Sequence, residues 1–153
     1  MTTLRLVVPG DVPVFYEHQA DAGAATMVGF VSRSQPDHDA HWTGLLADPT
    51  AFARTVVAGT EVVGNIVSWV DGDDRFVGYW IGRPHWGRGH ATAALREVLR
   101  LVPERPLTAL VAETNLGSIR VLERCGFVAV GTHQAEGDPI VEVRMVLDAP
   151  GSG

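Results

Sequence analysis

Gly78-Tyr79-Trp80-Ile81-Gly82-Arg83-Pro84-His85-Trp86-Gly87-Arg88-Gly89-His90-Ala91-Thr92 reads as a strand, a glycine-containing loop and the start of a helix. Such a junction points several backbone N–H groups one way, and the helix dipole adds positive potential there. Gly87 and Gly89 remove side chains where a phosphate would approach the main chain. Ala91 is small for the same reason, and Arg88 adds a mobile charge. The stretch suits a pyrophosphate. A Walker loop needs a lysine, and the chain has none, its 12 basic residues all being Arg. A Rossmann fingerprint needs a third glycine where Thr92 stands, and a βαβ unit where this chain has consecutive strands. A glycine turn ahead of a core helix is the purely structural alternative.

Working outward, the strand Arg75–Gly82 ends a meander. Phe52–Ala58 and Glu61–Val70 precede it, joined at Gly59-Thr60, and Asp71-Gly72-Asp73-Asp74 makes the next turn. Downstream, Ala91, Ala94, Leu95, Val98, Leu99 and Val102 form one apolar helical face, with Arg96, Glu97 and Arg100 opposite. Pro103 and Pro106 end that helix, and Leu107–Ala112 fits a buried strand. Asn115 caps a short helix from about Leu116 to Arg124, and Gly126 follows where a left-handed residue is wanted. Phe127–Thr132 and Ile140–Leu147 are the last two strands. Upstream, Leu4–Val8 is a strand, and Asp11 is expected to N-cap a helix running to about Ala24. Gly23, Gly29 and Ser32–Pro36 make a loose connection. A second helix runs from Pro36-Asp37 to Asp48-Pro49 and carries His41, Trp42, Leu45 and Leu46. The order is β-α-α-β-β-β-α-β-α-β-β, an α+β or mixed α/β domain over residues 1–148, with 149–153 a loose tail.

Composition bounds the rest. The chain has 153 residues, 46% hydrophobic and 20% charged, which suits one domain with a real core. Its apolar runs fall far short of the roughly 20 residues of a membrane span, so no membrane partner is expected. Met1-Thr2-Thr3-Leu4-Arg5 leads into no long apolar region, which makes the cytoplasm the default compartment. The net charge of −6 argues against nucleic acid and for a small cationic partner. Arg without Lys, among many Ala, Val and Gly, suggests a GC-rich bacterial genome. Cys125 is the only cysteine, so neither an intrachain disulfide nor a Cys-based zinc cage is available. It follows a helix rather than preceding one, which suits an inert thiol. His38-Asp39-Ala40-His41 has no third ligand nearby in sequence and reads as a solvated helix start, so no metal is expected.

Two motifs together resemble one family. Trp86-Gly87-Arg88-Gly89-His90-Ala91 is similar to the Q/R-x-x-G-x-G/A coenzyme A signature of the GNAT superfamily of N-acetyltransferases. The stretch from Asn115 to Phe127, NLGSIRVLERCGF, is similar to that superfamily's later signature, N-x-x-S-x-x-(V)-L-E-(K/R)-x-G-F. The resemblance covers about residues 60–147 by motif and the N-terminal part by element order. Gly78-Tyr79-Trp80-Ile81 and the Trp86–Thr92 loop look most like the ribosomal-protein N-terminal acetyltransferase branch, which also has members with other substrates.

The resemblance implies a mostly antiparallel twisted sheet of about seven strands, flanked by about four helices and splayed between the fourth and fifth strands. It implies acetyl-CoA as cosubstrate, with Trp86, Gly87, Arg88, Gly89, His90, Ala91 and Thr92 around the pyrophosphate. Trp80 and Ile81 would pair with the pantetheine arm, Asn115 would bond it, and Ser118 would lie near the thioester sulfur. An acetyl group would pass by direct attack to a primary amine, either a peptide N-terminus or a small molecule. Homodimers are common in proteins of this kind. Two catalytic groups frequent in relatives are missing: Leu122 stands where other branches carry Tyr, and Phe76 where this branch often carries Glu. Ser118 and Glu113 are therefore the catalytic candidates, Glu113 also reading as a salt-bridged strand end. The rival reading is an acyl-CoA-binding sensor without turnover, and a purely structural module is third.

Overall fold

A computed structural model describes residues 1–28 and 32–148. Gly29 of the connection and the 149–153 tail lie outside the described residues. The elements run β1 (Thr2–Leu6), α1 (Asp11–Ala20), α2 (Ala22–Val28), α3 (Gln35–Ala47), β2 (Phe52–Ala58), β3 (Glu61–Asp71) and β4 (Asp74–Ile81). A 3-10 turn, Arg83–His85, leads to α4 (His90–Leu101), β5 (Leu107–Ala112), α5 (Leu116–Arg124), β6 (Val128–His133) and β7 (Glu142–Leu147). The seven strands make one sheet in the order β1-β2-β3-β4-β5-β7-β6. All neighbours pair antiparallel except β4 and β5, which run parallel.

The expected single helix from Asp11 to Ala24 is two. Asp21 takes an extended conformation, and its carboxylate accepts from the amides of Gly23 (3.0 Å) and Ala24 (3.2 Å). A short acidic side chain that bonds nearby amides favours a cap over a helix interior, so α1 stops there and α2 begins. The described residues thus hold five α-helices rather than about four. Asp11 is likewise not a cap. Gly10 holds the N-cap position of α1, and Asp11 turns inward to Arg5, the Val8 amide and Thr55. Ser34, just before the expected start of α3, caps that helix by accepting from the Asp37 amide.

Strand alternation sorts the core into two faces. On one, Val56, Ile66, Val77, Ile81, Leu107, Ala109, Val111 and Met145 pack with Ala94, Leu95 and Val98 of α4 and Leu122 of α5. On the other, Ala53 and Val67 pack with Phe15 of α1 and Trp42 of α3. The α4 periodicity read from sequence is met: Ala94, Leu95 and Val98 are fully buried, while Arg96 and Arg100 are exposed. Burying Leu95 and Val98 contributes about 1.5–3 kcal/mol each.

The feature that shapes the site is an incomplete pairing. β4 and β3 stay in register from Asp74 to Ile81, but β4 meets β5 only at Arg75–Leu107 and Phe76–Thr108. Beyond Phe76 the two strands part, as expected between the fourth and fifth. Phe76 stacks on Trp69 at the base of the opening, with ring centroids 5.8 Å apart, and the Arg144 guanidinium lies near the same ring. The aromatic side chain at this position therefore packs the fork of the strands.

Candidate active site

The opening between β4 and β5 is a cleft of about 780 Å³. Val77–Ile81 form one wall and Ala109–Ala112 the other, and the loop before α4 and the start of α5 complete it. Trp80, Ile81, Trp86, Gly87, Gly89, His90, Ala91, Thr92, Asn115 and Ser118 all line it, so both sequence motifs meet at one site. Arg88 and Glu113 are exposed and are not among the lining residues.

Two helices point their first turns at the cleft, and they differ in how they start. In α5, Asn115 Oδ1 accepts from the Ser118 amide at 3.2 Å, a side-chain cap. In α4 the N-cap is Gly89, in the left-handed region at φ 80, and no side chain caps it. The first intrahelical bond is Ala93 N–H to Gly89 C=O, 3.0 Å. The amides of the preceding turn, His90 to Thr92, therefore have no partner within the helix. Gly87 is also left-handed, at φ 78, and a Cβ at either glycine would meet nothing within 4 Å. The loop thus carries space above a row of N–H groups at the positive end of a helix.

The β4 wall is read from its hydrogen bonds. The Gly82 amide donates to Val63 C=O at 2.8 Å. Antiparallel pairing alternates, so the backbone groups of Gly82, Trp80 and Gly78 face β3, and those of Ile81, Tyr79 and Val77 face the cleft. This corrects one expectation. Ile81 can offer an N–H to the cleft, whereas Trp80 offers only its side chain. The Ile81 carbonyl is already engaged by the Trp86 indole N–H at 2.7 Å, which pins the loop onto the strand end.

The cleft passes through the sheet, and its two sides differ chemically. Tyr79 shares the α4/α5 face with Ser118. The Tyr79 hydroxyl lies 2.7 Å from Ser118 Oγ, where either oxygen can donate, with the Ser118 carbonyl a second acceptor at 3.3 Å. Burial pushes the Tyr79 phenol up to about 12, against a smaller lowering by Ser118. Trp80 and Glu142 lie on the other face by strand parity, Glu142 opposite Ala112 across the β5–β7 pair. Glu142 is the one carboxylate among the lining residues, which also include Arg120, Arg124, His85 and His90. Burial, followed by the charges of His85 and Arg88, lowers the His90 pKa, and its Nδ1 is 2.8 Å from Thr2 Oγ1. Leu122 is buried and lines the cleft without a polar group.

Tyr79 and Glu142 were not picked out as site residues from sequence. Tyr79 was quoted within its motif, but its hydroxyl's partner is 39 residues away. Glu142 enters through the register of β5 with β7. Cys125 is half-buried, and burial raises its pKa, in keeping with an inert thiol. His38 is buried against Tyr16 and Trp42, so that part of the expected solvated helix start is in fact packed, while His41 is exposed. Among the described residues no group of three or more His, Cys, Asp or Glu is placed to hold a metal, and no helix is long and apolar enough to cross a membrane.

Comparison with known proteins gives a consistent fold. An aminoglycoside acetyltransferase AAC(6')-Ib in complex with coenzyme A aligns with TM-score 0.78 at 22% identity, over 97% of this chain and 95% of that one. A spermidine N-acetyltransferase from Vibrio cholerae, with CoA and spermine, gives 0.79 at 18%, over 96% and 95%. A ribosomal L7/L12 alpha-N-protein acetyltransferase in complex with coenzyme A gives 0.76 at 17%, over 97% and 94%. No curated protein matches the sequence significantly. The family model of the acetyltransferase (GNAT) domain matches residues 2–128, from β1 through the cleft to the start of β6, and the chain belongs to that family.

Proposed function

We propose that the chain moves an acetyl group from acetyl-CoA to a primary amine by direct attack. The observation that carries this is the parting of β4 and β5, which joins an uncapped helix start on one face to a lone carboxylate on the other. The amides of His90, Ala91 and Thr92 would hold the pyrophosphate, and Arg120 and Arg124 add positive charge at a cleft in an otherwise acidic protein. Backbone groups of Val77, Tyr79 and Ile81 would pair with the amide-rich pantetheine as an added strand. Asn115 has its oxygen engaged by the cap, and its NH2 remains to donate to the same arm. Trp86 leaves Ile81 only its N–H for the strand pairing, so the Tyr79 N–H, which faces the cleft beside Ser118, is the donor available to the tetrahedral oxyanion.

The amine would enter from the face of Trp80 and Glu142. A carboxylate there favours the ammonium form on arrival, and water carries its proton away before attack. Glu142, rather than the exposed Glu113, is the carboxylate that lines the cleft. The solved relatives act on an aminoglycoside, a polyamine and a protein N-terminus, all amines. Our reading of this chain favours the α-amine of a peptide, the acceptor of the ribosomal-protein branch. Leu122 and Phe76, both apolar where relatives carry acid–base groups, favour the second reading, a sensor that binds acyl-CoA without turnover.

A thiol-release assay with acetyl-CoA across N-terminal peptides, amino acids, polyamines and aminoglycosides tests this. The expected result is release of free thiol with one of these classes and acetylation of that amine by mass. Calorimetric binding of acetyl-CoA without release across the panel would favour the sensor. Absence of binding would remove both.

A further inference from the structure

We propose that Tyr79 is a positioning residue, holding the Ser118 hydroxyl so that its hydrogen points at the sulfur of the acetyl donor. This rests on the reading of the cleft given above. The two residues come from different elements, Tyr79 from β4 and Ser118 from the first turn of α5. Their hydroxyls nonetheless meet at 2.7 Å, across the mouth of a cleft that both line.

The direction of that bond decides what Ser118 can do. A phenol is a stronger acid than an aliphatic alcohol, so in a pair of hydroxyls it is the better donor. The competing acceptor for the phenol is the Ser118 carbonyl, at the longer distance of 3.3 Å. With the phenol donating to Oγ, one serine lone pair is occupied and the serine hydrogen is free to turn into the cleft. In the opposite arrangement that hydrogen would be spent on the phenol oxygen, and Ser118 would present no donor to a ligand.

Tyr79 does not itself protonate the sulfur. Burial keeps the phenol protonated up to about pH 12. A thiol titrates near 8.5, so passing the phenol proton to a thiolate is uphill by more than about a thousandfold. The balance of the step needs only water. The amine lone pair attacks the thioester carbon and a C–N bond forms. The C–S bond breaks and its electron pair goes to sulfur. One proton leaves nitrogen to water, and one reaches sulfur from water. During the break Ser118 donates a hydrogen bond to the developing thiolate, and Tyr79 keeps that donor aimed.

The test compares wild type, Tyr79→Phe, Ser118→Ala and the double variant by thiol release, with a thermal melt on each. Phe keeps the ring and its packing, and the melt reports whether the fold is kept. The double variant leaves neither hydroxyl unpaired, so it remains readable if Tyr79→Phe alone is destabilised. Tyr79→Phe should lower kcat by about tenfold and leave the KM for acetyl-CoA within about twofold. The double variant should be no slower than Ser118→Ala, because both remove one donor. Unchanged kcat in Tyr79→Phe, a raised KM at unchanged kcat, or losses that multiply in the double variant would overturn the proposal. If wild type releases no thiol with any amine, the reading of the cleft fails and this inference with it. An active wild type with unaffected variants removes this inference alone.

Discussion

Asp11 carries more interactions than its place near a helix start suggests. Its carboxylate accepts from Arg5 Nη1 (2.7 Å) and Nη2 (2.9 Å), the Val8 amide (2.9 Å) and Thr55 Oγ1 (2.7 Å), and so ties α1 to β1 and β2. Burial pushes the carboxyl up, but the Arg5, Val8 and Thr55 bonds together outweigh it and hold it at about 2. The ordinary value is 3.8, so the folded state binds this proton less readily than the unfolded chain. The stabilisation is complete above about pH 4 and is lost as pH falls towards 2. With Arg5 half-exposed and screened, it amounts to about 1–2 kcal/mol. Asp11→Asn should lower the unfolding free energy from urea melts at pH 6 by that amount, and the gap should shrink to about a third by pH 2.5 and close below pH 2. A gap as large at pH 2 as at pH 6 would show that the charge is not the cause. Sequence suggested a cap here because Asp suits caps. The use the fold makes of it depends on Thr55, 44 residues away, which no local pattern reveals.

The start of α4 is the element whose local form was most legible. Its glycine spacing needed no distant partner, and the structure has both Gly87 and Gly89 left-handed, beside an uncapped first turn. The α1–α2 break was less legible, because the apolar pattern runs on past Asp21 while the local bonds of that carboxylate stop the helix. Gly89→Ala separates the backbone and ligand roles of the loop. A Cβ there meets nothing within 4 Å, so the protein's own strain is confined to φ. That strain costs about 1 kcal/mol of stability. Gly59 supplies the control, being left-handed at φ 63, with open space and a position in the β2–β3 turn away from the cleft. Both Ala variants should lose similar stability by denaturant melt. By calorimetry only Gly89→Ala should lose acetyl-CoA affinity, and the bulkier Gly89→Val should lose tenfold or more, about 1.4 kcal/mol. Equal affinities in folded Gly89→Val and Gly59→Ala would remove the loop from the cofactor site.

At the scale of the whole molecule, sequence conveyed the order of elements but not the two-sidedness of the cleft. That property follows from strand parity: Tyr79 faces α5, whereas Trp80 and Glu142 face the other way. It sets the acceptor prediction. The lining holds one carboxylate, with Phe76 and Leu122 packed into the fork and the core, so the proposed acceptor side offers no pair of carboxylates. The amine's own pKa should then govern the rate. An α-amine titrates near 7.7–8.0 and a lysine side chain near 10.4. At pH 7.5 about a third of α-amines are free, against about one lysine amine in a thousand. Matched peptides should therefore differ by about two orders of magnitude in kcat/KM, the α-amine being preferred. For the α-amine, kcat/KM should rise about tenfold per pH unit below pH 7 and level off above pH 8, while the lysine peptide should still be rising at pH 9. Glu142→Gln should raise the acceptor KM, because the cation loses its attractor, and should leave the shape of the profile unchanged. A profile with an enzyme pKa near 6 that disappears in Glu142→Gln would make Glu142 a dedicated base. A preference for lysine amines over matched α-amines would overturn the acceptor assignment, leaving the cofactor side of the cleft untouched.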